Sequence, residues 1–167
     1  MLLSPQYRHV QLIRHKLLHF VSTLENHITS IALQGSWQKF HDDLLTTKSM
    51  EDLYRKHTVY IKRIRFLCML NKRSIEFNKT IENIFIVILR FCRHLKSKRW
   101  HLINGDDLYQ HGKYKQMITD ELDYDKFIKY TIYLGKKIVK HGYQQEIGDF
   151  INLININNFY TTNETQI

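Results

Sequence analysis

The sequence predicts an all-α fold, a bundle of about five to six mostly antiparallel helices. Apolar residues recur every three to four positions along most of the chain, which is the spacing of one buried helix face. No run alternates apolar and polar residues for long enough to predict a strand, and the chain contains only one Pro and six Gly. We therefore expect a single helical domain over residues 1–167.

The first helix is expected to begin at Pro5, because proline is favoured in the first helical turn. An apolar stripe follows at alternating steps of three and four and ends before Gly35; it comprises Val10, Ile13, Leu17, Phe20, Leu24, His27 and Ile31. Ser36 is the expected N-cap of a short second helix. The apolar side of that helix comprises Trp37, Phe40, Leu44 and Leu45.

Two further helices are predicted in the middle of the chain. Ser49, followed by acidic residues at Glu51 and Asp52, indicates the start of the third helix. Its expected core face comprises Leu53, His57, Tyr60, Ile64, Leu67 and Cys68, and its opposite, basic half comprises Arg55, Lys56, Lys62, Arg63 and Arg65. The fourth helix begins near Ser74 and leaves Arg90 and Arg93 away from the core. Its expected core face comprises Ile81, Ile84, Phe85, Ile88, Leu89, Cys92 and Leu95.

The stretch from Trp100 to Asp123 lacks a clear apolar period and carries much of the acidic charge. We expect a long loop with short helical pieces over residues 100–123. A fifth helix is predicted from Tyr124 to Ile138 and a last short one from Ile147 to Ile156. Residues 161–167 are expected to form a flexible tail.

The basic surplus lies in the middle of the chain. The formal net charge is +9, and residues 51–100 alone carry 13 Lys and Arg against 4 Asp and Glu. Such a surplus favours an acidic partner. A helical nucleic-acid-binding module is the alternative, but nucleic acid is not the favoured partner, because no readable recognition helix is evident and the aromatic residues fall on core faces.

No residue pattern indicates an enzyme or a bound cofactor. Phosphate-binding loops, dinucleotide glycine patterns and nucleophile elbows are absent from the sequence. His15 and His19 have the spacing of a chelating pair, but no third ligand accompanies them, so no metal site is predicted. The longest purely apolar run, residues 84–89, is far too short to cross a membrane, and membrane contact is not expected.

Several segments resemble the C-terminal domain of the gamma-tubulin complex components, the spindle-pole family. The run Leu-Ile-Arg-His-Lys-Leu-Leu-His-Phe-Val-x-x-Leu at residues 12–24 is similar to the family's Leu-x-x-x-Met-x-His-Phe-Val-x-x-Leu. Trp37-x-x-Phe40, then Asp52-Leu53-x-x-x-His57-x-x-Tyr60-Ile61, then Cys68-Met69-Leu70 follow in the family's order. The sequence around Asn26 and Ile28 resembles that of the family's fifth component in particular.

The closing segment, residues 154–160, is similar to the family's Leu-Asp-Phe-Asn-x-Phe-Tyr but differs at two charged positions. Asn155 stands where the family has an acid, and Leu153 stands where it has an arginine. Any ion pair between those two positions in relatives is therefore missing here. The resemblance covers residues 8–160.

This resemblance implies a binding protein that contacts gamma-tubulin and other gamma-tubulin complex components in microtubule nucleation. It implies a location in the cytoplasm, at the cytoskeleton and at a microtubule-organising centre such as a centrosome or spindle pole. Because tubulins are acidic, we expect the basic side chains of the third and fourth helices to take part. Together with the closing segment, the expected gamma-tubulin-binding residues are Arg55, Lys62, Arg63, Arg65, Arg90, Arg93, Asn157, Phe159 and Tyr160.

Overall fold

The computed structural model describes residues 4–102, 108–140, 142 and 145–161. The helices are α1 (Pro5–Asn26), α2 (Gly35–Leu45), α3 (Met50–Leu67), α4 (Ile75–Ser97), α5 (Tyr114–Lys140) and α6 (Gln145–Ile154). Two short antiparallel strands, β1 (Trp100–Leu102) and β2 (Tyr109–His111), join α4 to α5. The predicted all-α bundle is confirmed. The predicted tail, residues 161–167, lies outside the described residues except for Thr161.

The predicted stripe of α1 is the centre of the core. Val10, Ile13 and Phe20 have no exposed surface, and Leu17 and Leu24 are buried beside them. Pro5 occupies the first turn of the helix, as expected. Burial of a large aliphatic or aromatic side chain contributes about 1.5–3 kcal/mol, so this single stripe supplies a large share of the fold's stability.

The predicted break at Gly35 is wrong. A π-helical segment, His27–Gln34, continues α1, and Gly35 itself has α-helical torsion angles, so α1 runs into α2 without a loop. Ser36 is therefore an interior residue of α2 and not its N-cap. Buried His27 begins the π segment, and its Nε2 lies 3.2 Å from the carbonyl oxygen of Leu67 at the end of α3. The wider turn thus places α1 beside the end of α3.

The helix starts at α3 and α4 agree with the sequence. The Ser49 hydroxyl accepts a hydrogen bond from the Asp52 amide at 3.1 Å, which caps α3. The helix α4 begins one residue after Ser74. Two ring contacts show that α1 and α4 run antiparallel, because Tyr7 meets Trp100 near one end and Phe20 meets Phe85 further along.

The loop predicted over residues 100–123 is wrong for the part that the structure describes. The strands β1 and β2 lie there, and α5 begins at Tyr114, ten residues before the predicted start. The apolar spacing of this helix was not recognised in the sequence because one position that faces the core is acidic. That residue is Asp120, which is buried in an ion pair with Arg90 of α4. The buried face of α5 therefore includes one charged residue.

Packing against α4 and α6 places α5 in the middle of the bundle. Arg90 pairs with Asp120 while Thr80 is hydrogen-bonded to Thr131, so α4 and α5 are antiparallel. On the other side, Gly135 lets α6 approach closely, because a β-carbon at this position would lie 2.5 Å from Cγ1 of Ile151. Sequence position 135 therefore requires a residue without a side chain.

Several expected core residues of α2, α3 and α4 are exposed. His57 lies at the surface of α3 against the ring of Phe40, and Trp37 of α2 is also exposed. On α4, Phe85, Leu89 and Cys92 face outward, contrary to the prediction. The spacing of apolar residues correctly predicts an apolar stripe on each helix. No helix of the described chain, however, packs over the exposed residues of these stripes. Among the described helices, none is both long and apolar enough to cross a membrane.

Candidate functional site

A groove lies where α1, α5 and the closing segment meet, and we call it the α1–C-terminal groove. Its volume is about 710 Å³. Residues from both ends of the chain line it: His9, Leu12, His15, Lys16, His19, Glu121, Ile154, Ile156, Asn157, Phe159 and Tyr160. The fold thus brings together the two segments, residues 12–24 and 154–160, that carry the first and last parts of the family resemblance.

Three exposed apolar side chains stand around this groove. Leu12 on α1 is 68% exposed, Ile156 at the start of a short 3-10 helix 50%, and Phe159 in the turn after that helix 57%. Exposed large apolar residues that cluster around a concave surface are typical of a binding site. The groove can therefore receive apolar side chains of a partner.

The polar wall of the groove is an ion-pair network between α1 and α5. Lys16 Nζ lies 2.8 Å from Glu121 and 2.9 Å from Asp125, and His9 Nε2 lies 3.1 Å from the other oxygen of Glu121. Burial alone would lower the pKa of Lys16, but the hydrogen bonds to Glu121 and Asp125 outweigh it and raise that pKa. Lys16 is thus held as a cation that its two carboxylates balance.

The closing segment owes its shape to Asn155. Its buried side-chain oxygen accepts the Tyr160 amide at 3.0 Å, and its amide nitrogen lies 3.3 Å from the Thr161 hydroxyl. Asn157 and Asn158 have positive φ angles, a conformation that asparagine tolerates better than most residues. The neutral Asn155 therefore holds the turn through hydrogen bonds. No ion pair between positions 153 and 155 is needed, because these positions hold Leu153 and Asn155 in this chain.

The turn separates the three predicted binding residues of the closing segment. Asn157 and Phe159 are exposed at the groove, whereas Tyr160 is buried and its hydroxyl lies 3.4 Å from that of Tyr124. Burial raises the pKa of both tyrosines. Tyr160 thus supports the wall of the groove and presents little surface to a partner, and its contact with gamma-tubulin stays a prediction.

A second candidate surface is the basic side of α3. Arg55, Lys62, Arg63 and Arg65 are all exposed, as the sequence predicts. Arg55 Nη2 lies 2.6 Å from Asp52, and this hydrogen bond is the main cause that lowers the pKa of Asp52 to about 2. The other three cations of this surface, Lys62, Arg63 and Arg65, form no ion pair with a carboxylate of the described residues.

Lys56 differs from its neighbours on α3. Its side chain folds onto the end of α2, where Nζ lies 2.8 Å from the carbonyl oxygen of Asp43 and 3.0 Å from the Thr46 hydroxyl. A cation at this position satisfies carbonyl groups that the helix end leaves without intrahelical partners. Lys56 therefore joins α2 to α3 and is not part of the free basic surface.

The predicted arginines of α4 have different surroundings. Arg90 pairs with Asp120 and Asp123 of α5 and stays partly exposed, and its predicted gamma-tubulin contact stays a prediction. Arg93 is exposed on the outer side of α4. Because α3 packs on α2 and the π segment while α4 packs on α5, the structure does not gather the predicted basic residues on one face.

The groove residues of α1 were not predicted as a site. No sequence pattern marks the groove-lining residues of α1, namely His9, Leu12, His15 and His19. They line a groove because the closing segment, which is distant along the chain, packs beside them. Within the described ranges, no three His, Cys, Asp or Glu side chains come close enough to hold a metal ion. The groove combines exposed apolar side chains with the charged side chains of Lys16 and Glu121.

Comparison with known proteins gives one consistent family. A family model described as Gamma tubulin complex component C-terminal matches residues 2–160. Gamma-tubulin complex component 6 of Mus musculus is 31% identical over 160 residues, which is 94% of this chain and 9% of that protein. The Homo sapiens component 6 is equally similar, with 31% identity over the same share of each chain.

Other components match a shorter region. Gamma-tubulin complex component 3 of Arabidopsis thaliana is 28% identical over 87 residues, 52% of this chain and 10% of that protein. Component 5 of Mus musculus, the subtype that the sequence analysis singled out, is 27% identical over 90 residues, 54% of this chain and 9% of that protein. The chain therefore spans only about a tenth of the length of these curated relatives.

Proposed function

Because the chain belongs to the gamma-tubulin complex component C-terminal family, we propose that it binds gamma-tubulin as part of a gamma-tubulin complex. Its partners are then gamma-tubulin and other gamma-tubulin complex components, and its role is microtubule nucleation. The corresponding location is the cytoskeleton at a centrosome or spindle pole. The role is that of a binding scaffold and not of an enzyme.

The α1–C-terminal groove is the observation that carries this proposal. It is built by the segments in which the family resemblance is found at the two ends of the chain. Its exposed Leu12, Ile156 and Phe159 offer the apolar contact that specific protein interfaces need at their centre. The basic side of α3 supplies charge for steering an acidic protein towards the chain.

A capture experiment with purified gamma-tubulin tests the proposal. The immobilised chain is compared with an unrelated basic helical protein at low and at physiological salt, because screening weakens non-specific attraction more than packed contact. We expect capture by this chain alone at physiological salt. Equal capture by both proteins, or loss of all capture at physiological salt by the folded chain, would contradict gamma-tubulin binding.

A groove variant tests the placement. Leu12→Ser with Phe159→Ser removes two exposed apolar side chains, so the fold should be kept, and we expect capture to fall at least about tenfold. The matched control is Leu45→Ser with Met50→Ser, which removes two exposed apolar side chains from the α2–α3 turn. Capture that falls equally in both variants would argue against the groove as the contact.

The nucleic-acid alternative has its own measurement. A gel-shift assay with duplex DNA and RNA at rising salt reports phosphate contacts through a steep fall of affinity. We expect no retained complex at physiological salt. A retained complex together with absent gamma-tubulin capture would replace the proposal by the alternative.

A further inference from the structure

A second groove lies between α1 and α4, on a part of the surface that the α1–C-terminal groove does not use. Its volume is about 360 Å³, and we call it the α1–α4 groove. Leu17 and Phe91 are buried at its floor, and Leu18 and Cys92 are exposed at its mouth. Nearly all of its lining is apolar, the exception being Arg14 at one end.

Exposed apolar residues extend this groove along α4. Leu89 is 64% and Leu18 54% exposed, and Phe85 is exposed beside the ring of Phe20. Phe85, Leu89 and Cys92 are spaced by four and three residues, so they form one stripe along the helix. This is the stripe that the helical period predicts to be core. The sequence therefore has the pattern of a covered helix face, while the described chain leaves that face open.

The two walls fit a third helix. The antiparallel α1 and α4 present parallel ridges, with Leu18 and Val21 on one side and Ile88 and Cys92 on the other. A helix lies into such a groove through its own residues at spacings of three and four. An extended strand does not fit as well, because its backbone groups would lack partners against an apolar floor.

Charge around the groove is polarised. Arg14, Arg93 and Lys96 are exposed at the end near the C-terminus of α4, and no described carboxylate forms an ion pair with them. Glu25 and Glu82 are exposed further along the same two helices, towards the opposite end. A matching helix therefore carries acidic residues at one end only. A second copy of this chain is distinguished by its own measurement, because a twofold dimer would place the basic end of one groove against the acidic end of the other.

We propose that the α1–α4 groove docks an amphipathic helix of a partner protein, with an apolar stripe flanked at one end by Asp or Glu residues. The docked helix covers Leu18, Phe85 and Leu89, and its acidic end lies against Arg14, Arg93 and Lys96. This interaction is separate from the proposed gamma-tubulin contact and does not depend on it.

The test uses two synthetic helical peptides and the full chain. Both peptides carry Leu at positions i, i+4, i+7 and i+11; one has Glu in its N-terminal turns, and the other has Lys at those positions. Acids suit the N-terminal turns because they also stabilise the peptide helix. Fluorescence anisotropy measures the affinity of each peptide, and we expect the Glu peptide to bind at least about fivefold more tightly.

The apolar variant is Leu18→Ser with Leu89→Ser, and its matched control is Tyr54→Ser with Val59→Ser on the exposed side of α3. We expect the first to weaken the Glu peptide at least about fivefold and the second to leave its affinity unchanged. Equal affinity of the two peptides, or unchanged binding by the apolar variant, would overturn the proposal. Loss of gamma-tubulin capture in that variant alone would assign the groove to gamma-tubulin and also overturn it.

A charge variant keeps the test independent of folding effects. Arg14→Glu with Arg93→Glu alters two exposed side chains, and we expect it to reverse the preference, so that the Lys peptide binds more tightly. An unchanged preference would overturn the predicted polarity. Sedimentation equilibrium addresses the second copy: a dimer that the Leu18→Ser, Leu89→Ser variant dissociates would replace the partner helix by self-association.

Discussion

Arg90 of α4 and Asp120 of α5 form an ion pair across the helix interface although Asp120 has only 2% of its surface exposed. The second oxygen of Asp120 lies 2.6 Å from Nδ1 of His94, and Arg90 also reaches Asp123. Both oxygens of the buried carboxylate are therefore satisfied, which is the condition under which a buried charge is tolerated. The pair fixes the register of α4 against α5 where the sequence alone predicts a loop.

Replacing the buried carboxylate should lower stability more than replacing the exposed one. Asp120→Asn leaves Arg90 without its buried counter-charge, and we expect the free energy of unfolding to fall by about 2 kcal/mol. The control, Asp123→Asn, removes a partly exposed partner of the same arginine and should cost less than about 1 kcal/mol. Urea denaturation measures both. Equal losses would show that burial of Asp120 contributes nothing special.

Gly135 should not accept a side chain. A β-carbon there would lie 2.5 Å and 2.7 Å from two side-chain carbons of buried Ile151, so Gly135→Ala forces α5 and α6 apart. We expect a loss of about 2 kcal/mol in thermal or urea unfolding. At Gly148, in the same interface, the nearest atom lies at 3.4 Å, an ordinary contact. Gly148→Ala should therefore change stability by less than about 1 kcal/mol, and a larger loss there than at Gly135 would contradict the packing argument.

Stability should fall in alkaline solution because of Tyr124. Burial raises the pKa of Tyr124 far above the ordinary value of 10.0, so the unfolded chain loses this proton first as the pH rises past 10.0. Deprotonation then favours unfolding, and the free energy of unfolding decreases above that pH. Tyr124→Phe should flatten the decrease measured by urea denaturation between about pH 9 and 11. The exposed Tyr133→Phe is the control, and an equal flattening by it would exclude Tyr124 as the cause.

The basic side of α3 should matter for gamma-tubulin. Reversing the four cations, by Arg55→Glu, Lys62→Glu, Arg63→Glu and Arg65→Glu, is expected to weaken capture about tenfold without changing the helical circular dichroism. A control reverses four exposed lysines elsewhere, namely Lys39, Lys48, Lys72 and Lys79, and changes the net charge equally. If both variants lose capture to the same extent, net charge and not the α3 surface is responsible.

The sequence predicted the helices whose core faces are apolar and missed those with polar members. The stripe of α1, the Ser49 cap and the start of α4 after Ser74 all agree with the structure, because each depends on local chemistry. The start of α5 was missed because Asp120 occupies a core position, and only Arg90, thirty residues away, makes that position acceptable. The helix through Gly35 was missed because glycine there keeps α-helical torsion angles.

The candidate site was predicted only in part. Phe159 and Asn157 were identified from the closing segment, and the structure places them at the groove. The opposite wall, with His15 and His19, was not, because no local pattern shows which exposed side of α1 meets the chain end. For Phe85 and Leu89 the prediction failed in the opposite direction. Their helical spacing predicts a buried face of α4, but both side chains are exposed, and no described part of the chain covers them.

The unbroken passage from α1 through the π segment into α2 also has a mechanical consequence. Helices kink most readily at π turns and at Gly–Ser pairs, and this passage holds both, the segment His27–Gln34 and then Gly35 and Ser36. Bending between α1 and the α2–α3 hairpin is therefore expected to concentrate over residues 27–36, leaving Leu12, His15 and Lys16 in place on the wall of the α1–C-terminal groove. The passage thus acts as a hinge that allows the hairpin to change direction without changing the width of the groove.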